Sequence, residues 1–102
     1  MEHFNKLSPA EAERLAILIE ECSEVIQAAV KILRHGYESG MPDYIYSCLT
    51  NRETLERELG DFVWILRDMT KVGDVSPTTI DTRASSLNWK NRFEHHQGQR
   101  KQ

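Results

Sequence analysis

The stretch that decides the fold is residues 8–36, SPAEAERLAILIEECSEVIQAAVKILRHG. Ser8 is followed by Pro9 and, three residues on, by Glu11, which is the pattern of a capping box with proline at the first helical position. Gly36 supplies a stop signal. Apolar residues recur between these points at helical spacing: Leu15, Leu18, Ile19, Cys22, Val25, Ile26, Ala29, Ile32 and Leu33. The stretch therefore predicts one long helix with a broad apolar stripe.

Two further segments begin with helix-capping residues. Thr50 and Glu53 repeat the capping box, and the helix that they open is expected to end before Gly73. Ser76 and Pro77 open a third helix. The apolar stripe of the second helix consists of Leu55, Leu59, Phe62, Val63, Leu66 and Met69. That of the third helix is thinner and consists of Ile80, Ala84, Leu87 and Phe93. No stretch alternates strictly between apolar and polar residues, so the sequence predicts an all-α bundle of two long helices and a third, C-terminal one.

The chain length predicts one domain that depends on a partner. The 102 residues fit a single domain over residues 1–102, of which 97–102 are expected to form a flexible tail. So small a chain buries wide apolar stripes poorly. We therefore expect a second copy to complete the bundle, in a homodimer or a homotetramer.

Composition excludes several classes of partner. No apolar run approaches the roughly 20 residues of a membrane span, and a net charge of −3 offers no broad basic surface for nucleic acid. Residues 1–6 lack the features of a secretion signal. Cys22 and Cys48 lack metal-ligand spacing and suit reduced thiols. We expect a cytoplasmic protein that binds neither membranes nor nucleic acids.

Two pairs of carboxylates form the candidate functional site. Glu21 and Glu24 lie about 60° apart on the helical wheel, and Glu58 and Asp61 repeat that spacing. Each pair borders the apolar stripe of its helix on the same side, so antiparallel packing would bring both pairs together. Such a cluster of negative charges needs an offsetting cation, and oxygen ligands alone favour Mg²⁺, with Mn²⁺ as a substitute.

Other interpretations of these carboxylates stay open at this point. Acidic residues three apart commonly do no more than solvate a helix. An acidic groove also suits a non-catalytic helical interaction module that binds a basic partner. A di-iron bundle is excluded, because it requires Glu-x-x-His on two helices and the sequence has no such motif. Trp64 lies on the polar side of the second helix, where it suits either a subunit contact or a platform for stacking a nucleobase.

The acidic residues also carry a family resemblance. Glu20-Glu21-Cys22-Ser23-Glu24 and Glu58-Leu59-Gly60-Asp61-Phe62 resemble the EExxE and ExxD motifs of MazG-type nucleotide pyrophosphohydrolases, members of the all-α NTP pyrophosphatase group. Residues 25–36 and 55–61 resemble the helices around these motifs, and residues 90–93 (KNRF) resemble a later basic stretch. The interval between Glu24 and Glu58 is longer than is usual in the family. We interpret residues 37–49 as an insertion that shapes the substrate pocket.

The resemblance implies a reaction and a set of roles. It implies hydrolysis of a nucleoside triphosphate to the monophosphate and pyrophosphate, with Mg²⁺ held by Glu21, Glu24, Glu58 and Asp61. Glu20 would act as the general base on the attacking water, or would bind a second ion. A triphosphate also needs cations around its distal phosphates. The candidates for that role are Lys31, Arg34, Lys90 and Arg92.

Overall fold

The computed structural model describes residues 4–40, 49–87 and 96. These residues form three helices, α1 (Pro9–His35), α2 (Asn51–Lys71) and α3 (Pro77–Ser86). The described ranges contain no strand, only an isolated antiparallel bridge between Gly40 and Thr50. The predicted all-α class is therefore confirmed. None of the helices in the described ranges is both long and apolar enough to cross a lipid bilayer.

Both long helices begin at the predicted capping boxes. The Ser8 hydroxyl accepts a hydrogen bond from the Glu11 amide (3.1 Å), and the Glu11 carboxylate accepts one from the Ser8 amide (2.8 Å). Thr50 and Glu53 make the same reciprocal pair at the start of α2. Helix α1 ends at His35 and is capped by Gly36, whose φ of 86° lies in the region that favours glycine. The capping residues therefore set the helix ends as expected.

Helices α1 and α2 form an antiparallel hairpin. At one end of it, the Asn51 side chain donates a hydrogen bond to the Gly36 carbonyl (3.0 Å). At the other end, the Arg14 guanidinium binds the Asp74 carboxylate with two hydrogen bonds of 2.5 and 3.1 Å. Residues of increasing number on α1 therefore lie beside residues of decreasing number on α2. This order aligns the middle of α1 with the middle of α2.

The core of the hairpin is small and lies at one edge of the predicted stripes. Among the described residues, the buried apolar side chains are Ala28, Ile65 and Met69. Ala28 and Ile65 were not assigned to the stripes in the sequence analysis. Leu18 and Ala29 of the predicted α1 stripe are half-buried, so the stripe takes part in the contact and the fully buried positions lie at its edge. A stripe wider than one helix contact leaves the choice of edge to tertiary packing.

Part of the two stripes is exposed on one side of the hairpin, which we call the apolar face. Apolar positions of the two antiparallel helices fall on this same side, given 100° per residue and the buried positions that define the contact. Leu33 is the most exposed of them, at 86%. The exposed large apolar residues of this face are Leu15, Ile19, Ile26, Val30 and Leu33 on α1 and Leu59 and Val63 on α2.

The base of the predicted insertion is fastened to the start of α2. The Asn51 amide donates to the Ser39 carbonyl (2.6 Å) and the Arg52 amide to the Tyr37 carbonyl (2.9 Å). The Arg52 guanidinium also binds the Glu38 carboxylate and lies 4.4 Å from the centre of the Tyr37 ring. The two ends of the 37–49 segment are therefore held together beside α2. Residues 41–48 lie outside the described residues.

Helix α3 is exposed along its whole length. Gly73 turns the chain with a φ of 88°, and the Ser76 hydroxyl accepts the Thr79 amide at the start of α3. No residue of α3 is buried, and the helix ends at Ser86. The predicted continuation of its stripe to Phe93 lies outside the described residues, as do Cys48 and the predicted tail 97–102.

Candidate metal centre

The hairpin brings the two predicted pairs of carboxylates together. Glu21 and Glu24 lie near the middle of α1, and Glu58 and Asp61 lie near the middle of α2. One carboxylate oxygen from each residue lies within 4.8 Å of the corresponding oxygens of the other three. We call these four residues the acidic cluster. Because each pair is spaced by three residues, both of its side chains project from one side of the helix toward the other pair.

Two oxygens of the acidic cluster are buried without a partner. Oε2 of Glu21 and Oε2 of Glu58 are inaccessible to solvent and accept no hydrogen bond. The salt bridges found in the described ranges join Arg14 to Asp74 and Arg52 to Glu38, and neither reaches the cluster. A buried carboxylate oxygen without a donor is costly. The cluster therefore carries negative charge that the described side chains do not neutralise.

The same crowding changes the proton affinity of two carboxylates. Burial raises the pKa of Glu21 above its ordinary value of 4.5, and the charges of Glu24, Asp61 and Glu20 raise it further. Glu58 lies close enough to Glu24 for the two carboxyl groups to share a proton, and this raises the pKa of Glu58, as do burial and the neighbouring charges. Both shifts show that the charged forms are disfavoured.

The donor set fits a hard divalent cation. Mg²⁺ takes oxygen ligands at about 2.0–2.1 Å, so ligands on opposite sides of one ion lie about 4.2 Å apart. The cluster's oxygens, which lie within 4.8 Å of one another, would need to draw closer together, because neighbouring ligands of an octahedral ion at these distances lie only about 3.0 Å apart. Such closing is expected when a cation replaces repulsion by attraction. The two unpartnered oxygens would gain a partner at the same time.

A cleft opens beside the acidic cluster on the side of the hairpin opposite the apolar face. Its volume is about 280 Å³. Lys31, predicted to bind phosphate, lines this cleft together with two members of the cluster. The full lining is Glu24, Gln27, Ala28, Lys31, Thr54 and Glu58. The positively charged Lys31 side chain and two carboxylates of the acidic cluster therefore line the same cleft.

Glu20 and Arg34, also predicted as site residues, do not line this cleft. Glu20 is exposed next to Glu21 and contributes no oxygen to the cluster, although its charge contributes to the raised pKa of Glu21. Arg34 is exposed and does not line the cleft. Lys90 and Arg92 lie outside the described residues.

Two polar lining residues were missed in the sequence analysis. Gln27 follows Glu24 by three residues and Thr54 precedes Glu58 by four, so each lies one helical turn from a member of the cluster. That spacing was a signal that could have identified both.

Comparisons with known proteins give no relative. No protein-family model matches the chain, and no curated protein or solved structure matches it either. The likeness to MazG-type enzymes thus stays a resemblance of motifs, and the geometry of the acidic cluster and its cleft supports the functional proposal that follows.

Proposed function

We propose that this protein is a Mg²⁺-dependent nucleoside triphosphate pyrophosphohydrolase, which releases a nucleoside monophosphate and pyrophosphate. One observation carries the proposal: four carboxylates converge within 4.8 Å, two of their oxygens are buried without partners, and a cleft lined by Lys31 opens beside them. A helical scaffold alone has no use for so many unpaired charges, whereas a cation site does.

In this proposal the acidic cluster holds the cation. Glu21, Glu24, Glu58 and Asp61 would bind Mg²⁺, or Mn²⁺ in its place, and the ion would give a partner to the two unpartnered oxygens. When bound, Mg²⁺ supplies the positive charge that lets a polyanionic phosphate chain approach four carboxylates. The antiparallel hairpin holds the two pairs facing each other, so an ion between them would be reached by both helices.

Two further residues would act on the substrate directly. Lys31 lines the cleft and can donate charge-assisted hydrogen bonds to phosphate oxygens. Glu20 is exposed beside Glu21, outside the cluster, so its carboxylate is free to accept the proton of the attacking water; binding of a second ion is the alternative role. Arg34, Lys90 and Arg92 stay proposed contacts to the distal phosphates. We propose that this activity is cytoplasmic.

A second copy of the chain is the proposed occupant of the apolar face. With Ala28, Ile65 and Met69 as the buried apolar residues of the described part, the core is too small to offset the cost of ordering the chain. An apolar surface two helices wide is self-complementary across a twofold axis and would form a four-helix bundle. The cleft opens on the other side and would stay accessible to substrate.

Light scattering tests the assembly. The protein should have two or four times the 11.9 kDa mass of one chain, and Ile26→Glu should lower that mass, whereas Glu13→Lys, at an exposed position of α1 about 140° from Ile26 on the helical wheel, should not. A wild-type monomer at tens of micromolar would contradict the proposed assembly.

An assay of product release tests the activity. A panel of ribonucleoside and deoxynucleoside triphosphates is incubated with the protein and Mg²⁺, and pyrophosphate and orthophosphate are measured separately. We expect one pyrophosphate per monophosphate for at least one nucleotide, with no release when Mg²⁺ is chelated. If no nucleotide is hydrolysed and Mg²⁺ leaves the melting temperature unchanged, the interaction-module alternative, with its acidic groove for a basic partner, would replace the enzyme.

A further inference from the structure

Trp64 is an exposed aromatic residue on the polar side of α2. Its side chain is 59% exposed. On the helical wheel it lies about 140° from Leu59 and about 160° from Leu66, but only about 60° from Asp61. A second copy seated on the apolar face would therefore leave Trp64 uncovered. Trp64 instead shares the side of the hairpin on which the cleft opens.

The direction of a helical side chain carries the Trp64 ring toward the acidic cluster. In an α-helix the Cα–Cβ bond tilts toward the N-terminus, so a long side chain covers the turn before its own Cα. For Trp64 that turn contains Asp61. The indole is thus positioned at the edge of the cluster, where a planar group bound over the carboxylates would meet it.

The cleft lies at the opposite edge of the cluster. Thr54 precedes Glu58 by one turn of α2, and Lys31 follows Glu24 by about two turns of α1. In the antiparallel hairpin both positions lie toward the same end. Along the hairpin the order is therefore Lys31 and Thr54, then the cluster, then Trp64. Thr54 and Trp64 are ten residues apart, or about 15 Å along the axis.

The chemistry of the two edges differs. The cleft of about 280 Å³ has a cation, an amide and a hydroxyl that can donate to anionic oxygens, and it is smaller than the roughly 300–1,000 Å³ of sites that enclose whole drug-sized ligands. It suits part of a nucleotide, namely phosphate groups. The other edge offers an aromatic surface, which suits a nucleobase because every base has a face that stacks.

We propose that the nucleotide lies along the hairpin with its base stacked on Trp64 and its β- and γ-phosphates in the cleft against Lys31. This inference rests on the proposed function. The water oxygen bonds to the α-phosphorus, the bond from that phosphorus to the bridging oxygen breaks, and pyrophosphate leaves into the cleft with the electron pair. The proton of the water passes to Glu20 or to solvent. Trp64 is thus a binding residue for the base, and Lys31 for the leaving group.

The test separates base binding from phosphate binding. The best nucleoside triphosphate of the panel gives KM and kcat, and inorganic tripolyphosphate, which has no base, is measured as a competitive inhibitor. We expect Trp64→Ala to raise KM about tenfold or more, as loss of a stacking partner does. The inhibition constant of tripolyphosphate should stay within about twofold, Trp64→Phe should recover most of the affinity, and Lys31→Met should weaken both ligands. Val72→Ala removes another exposed apolar side chain of the α2 end and should change neither.

A second readout does not depend on turnover. In Trp89→Phe protein, Trp64 is the remaining tryptophan. Its fluorescence should be quenched when a non-hydrolysable α,β-imido nucleotide is added with Mg²⁺, and not when tripolyphosphate is added. An active enzyme in which Trp64→Ala changes neither KM nor the nucleotide's affinity would overturn the inference and leave the proposed function standing. A wild-type protein that hydrolyses no nucleotide would instead overturn the function, and the inference with it.

Discussion

In the part of the chain that the structure describes, charged side chains are paired at the ends of the α1–α2 hairpin and lack ion-pair partners in its middle. At one end Arg14 pairs with Asp74 through two hydrogen bonds, and at the other Arg52 pairs with Glu38. In the middle, four carboxylates lie within 4.8 Å, and two of their oxygens have no partner. Acidic groups are thus paired at the two ends of the hairpin, where ion pairs hold distant parts of the chain together. The unpaired carboxylates in the middle are costly for stability, which is typical of a functional site.

The largest expected effect is on the rate of pyrophosphate release and follows from removing one charge of the acidic cluster. Glu24→Gln or Asp61→Asn should lower pyrophosphate release about a hundredfold or more, since even residues that only support a metal ligand cost 10–100-fold when mutated. The same changes should raise the stability of the metal-free protein, because one of four like charges is gone. Steady-state rates and thermal unfolding measure the two effects.

Glu56→Gln is the matched control for these variants. Glu56 is exposed and precedes Glu58 by two residues, so it projects from the opposite side of α2. It should leave the rate unchanged. Full activity in both Glu24→Gln and Asp61→Asn would remove these residues from the site.

The next effect compares two cations of α1. Lys31→Met should raise KM for the nucleotide about tenfold, because Lys31 lines the cleft and a charge-assisted hydrogen bond is lost. Arg34→Met should have a smaller effect, since Arg34 is exposed away from the cleft's lining. Steady-state kinetics of the two variants provide the comparison. A larger loss for Arg34→Met would show that the phosphates do not enter the cleft.

A third prediction compares how a substitution at one end of the hairpin and one in its middle change the melting temperature. Arg14→Met should lower the melting temperature, because it leaves Asp74 without its partner. Glu21→Gln should raise it in the absence of metal, because the buried carboxylate then carries no charge. Thermal unfolding in a chelating buffer measures both. Shifts of the same sign would show that the two regions do not differ in the way proposed.

The smallest effect is on the pH dependence of stability. The pKa values of Glu21 and Glu58 are raised above 4.5 in the folded protein, so each binds protons there that the unfolded chain has released. Metal-free stability should therefore fall as the pH rises through these raised values, and should increase as the pH is lowered from neutral toward the ordinary value of 4.5.

Two other carboxylates set the lower limit of this pH window. The pKa of Asp74 is lowered by its hydrogen bond with Arg14 and that of Glu53 by its bonds to Thr50, so both contribute stability that is lost only at lower pH. Thermal unfolding between pH 4 and 8 measures the profile. Metal-free stability that rises steadily from pH 5 to 8 would contradict the assignment of raised pKa values in the acidic cluster.

The sequence predicted the parts of this fold that local chemistry determines. Ser8, Thr50 and Ser76 marked all three helix starts, because a capping hydroxyl acts on amides within its own turn. The convergence of Glu21 and Glu24 with the second carboxylate pair followed from helical spacing and antiparallel packing. These features depend on short-range periodicity, which one sequence shows.

What the sequence did not predict depends on contacts between distant residues. Ile65, fully buried, was not singled out, because a stripe of many apolar residues does not specify which edge packs inward. The pairing of Arg14 with Asp74 joins residues 60 positions apart, and no local pattern marks it. The cleft beside Lys31 likewise exists only once the two helices are docked.

The most direct test of the central claim is thermal unfolding of the wild type and of Asp61→Asn across a titration of Mg²⁺. A ligand that binds only the folded state adds about 1.4 kcal/mol at ten times its Kd, which for a domain of this size raises Tm by about 6–11 °C. We predict such a rise in the wild type and its loss in Asp61→Asn. A wild-type Tm that is unchanged at 10 mM Mg²⁺ or Mn²⁺, or an equal rise in both proteins, would contradict the assignment of the acidic cluster as a cation site.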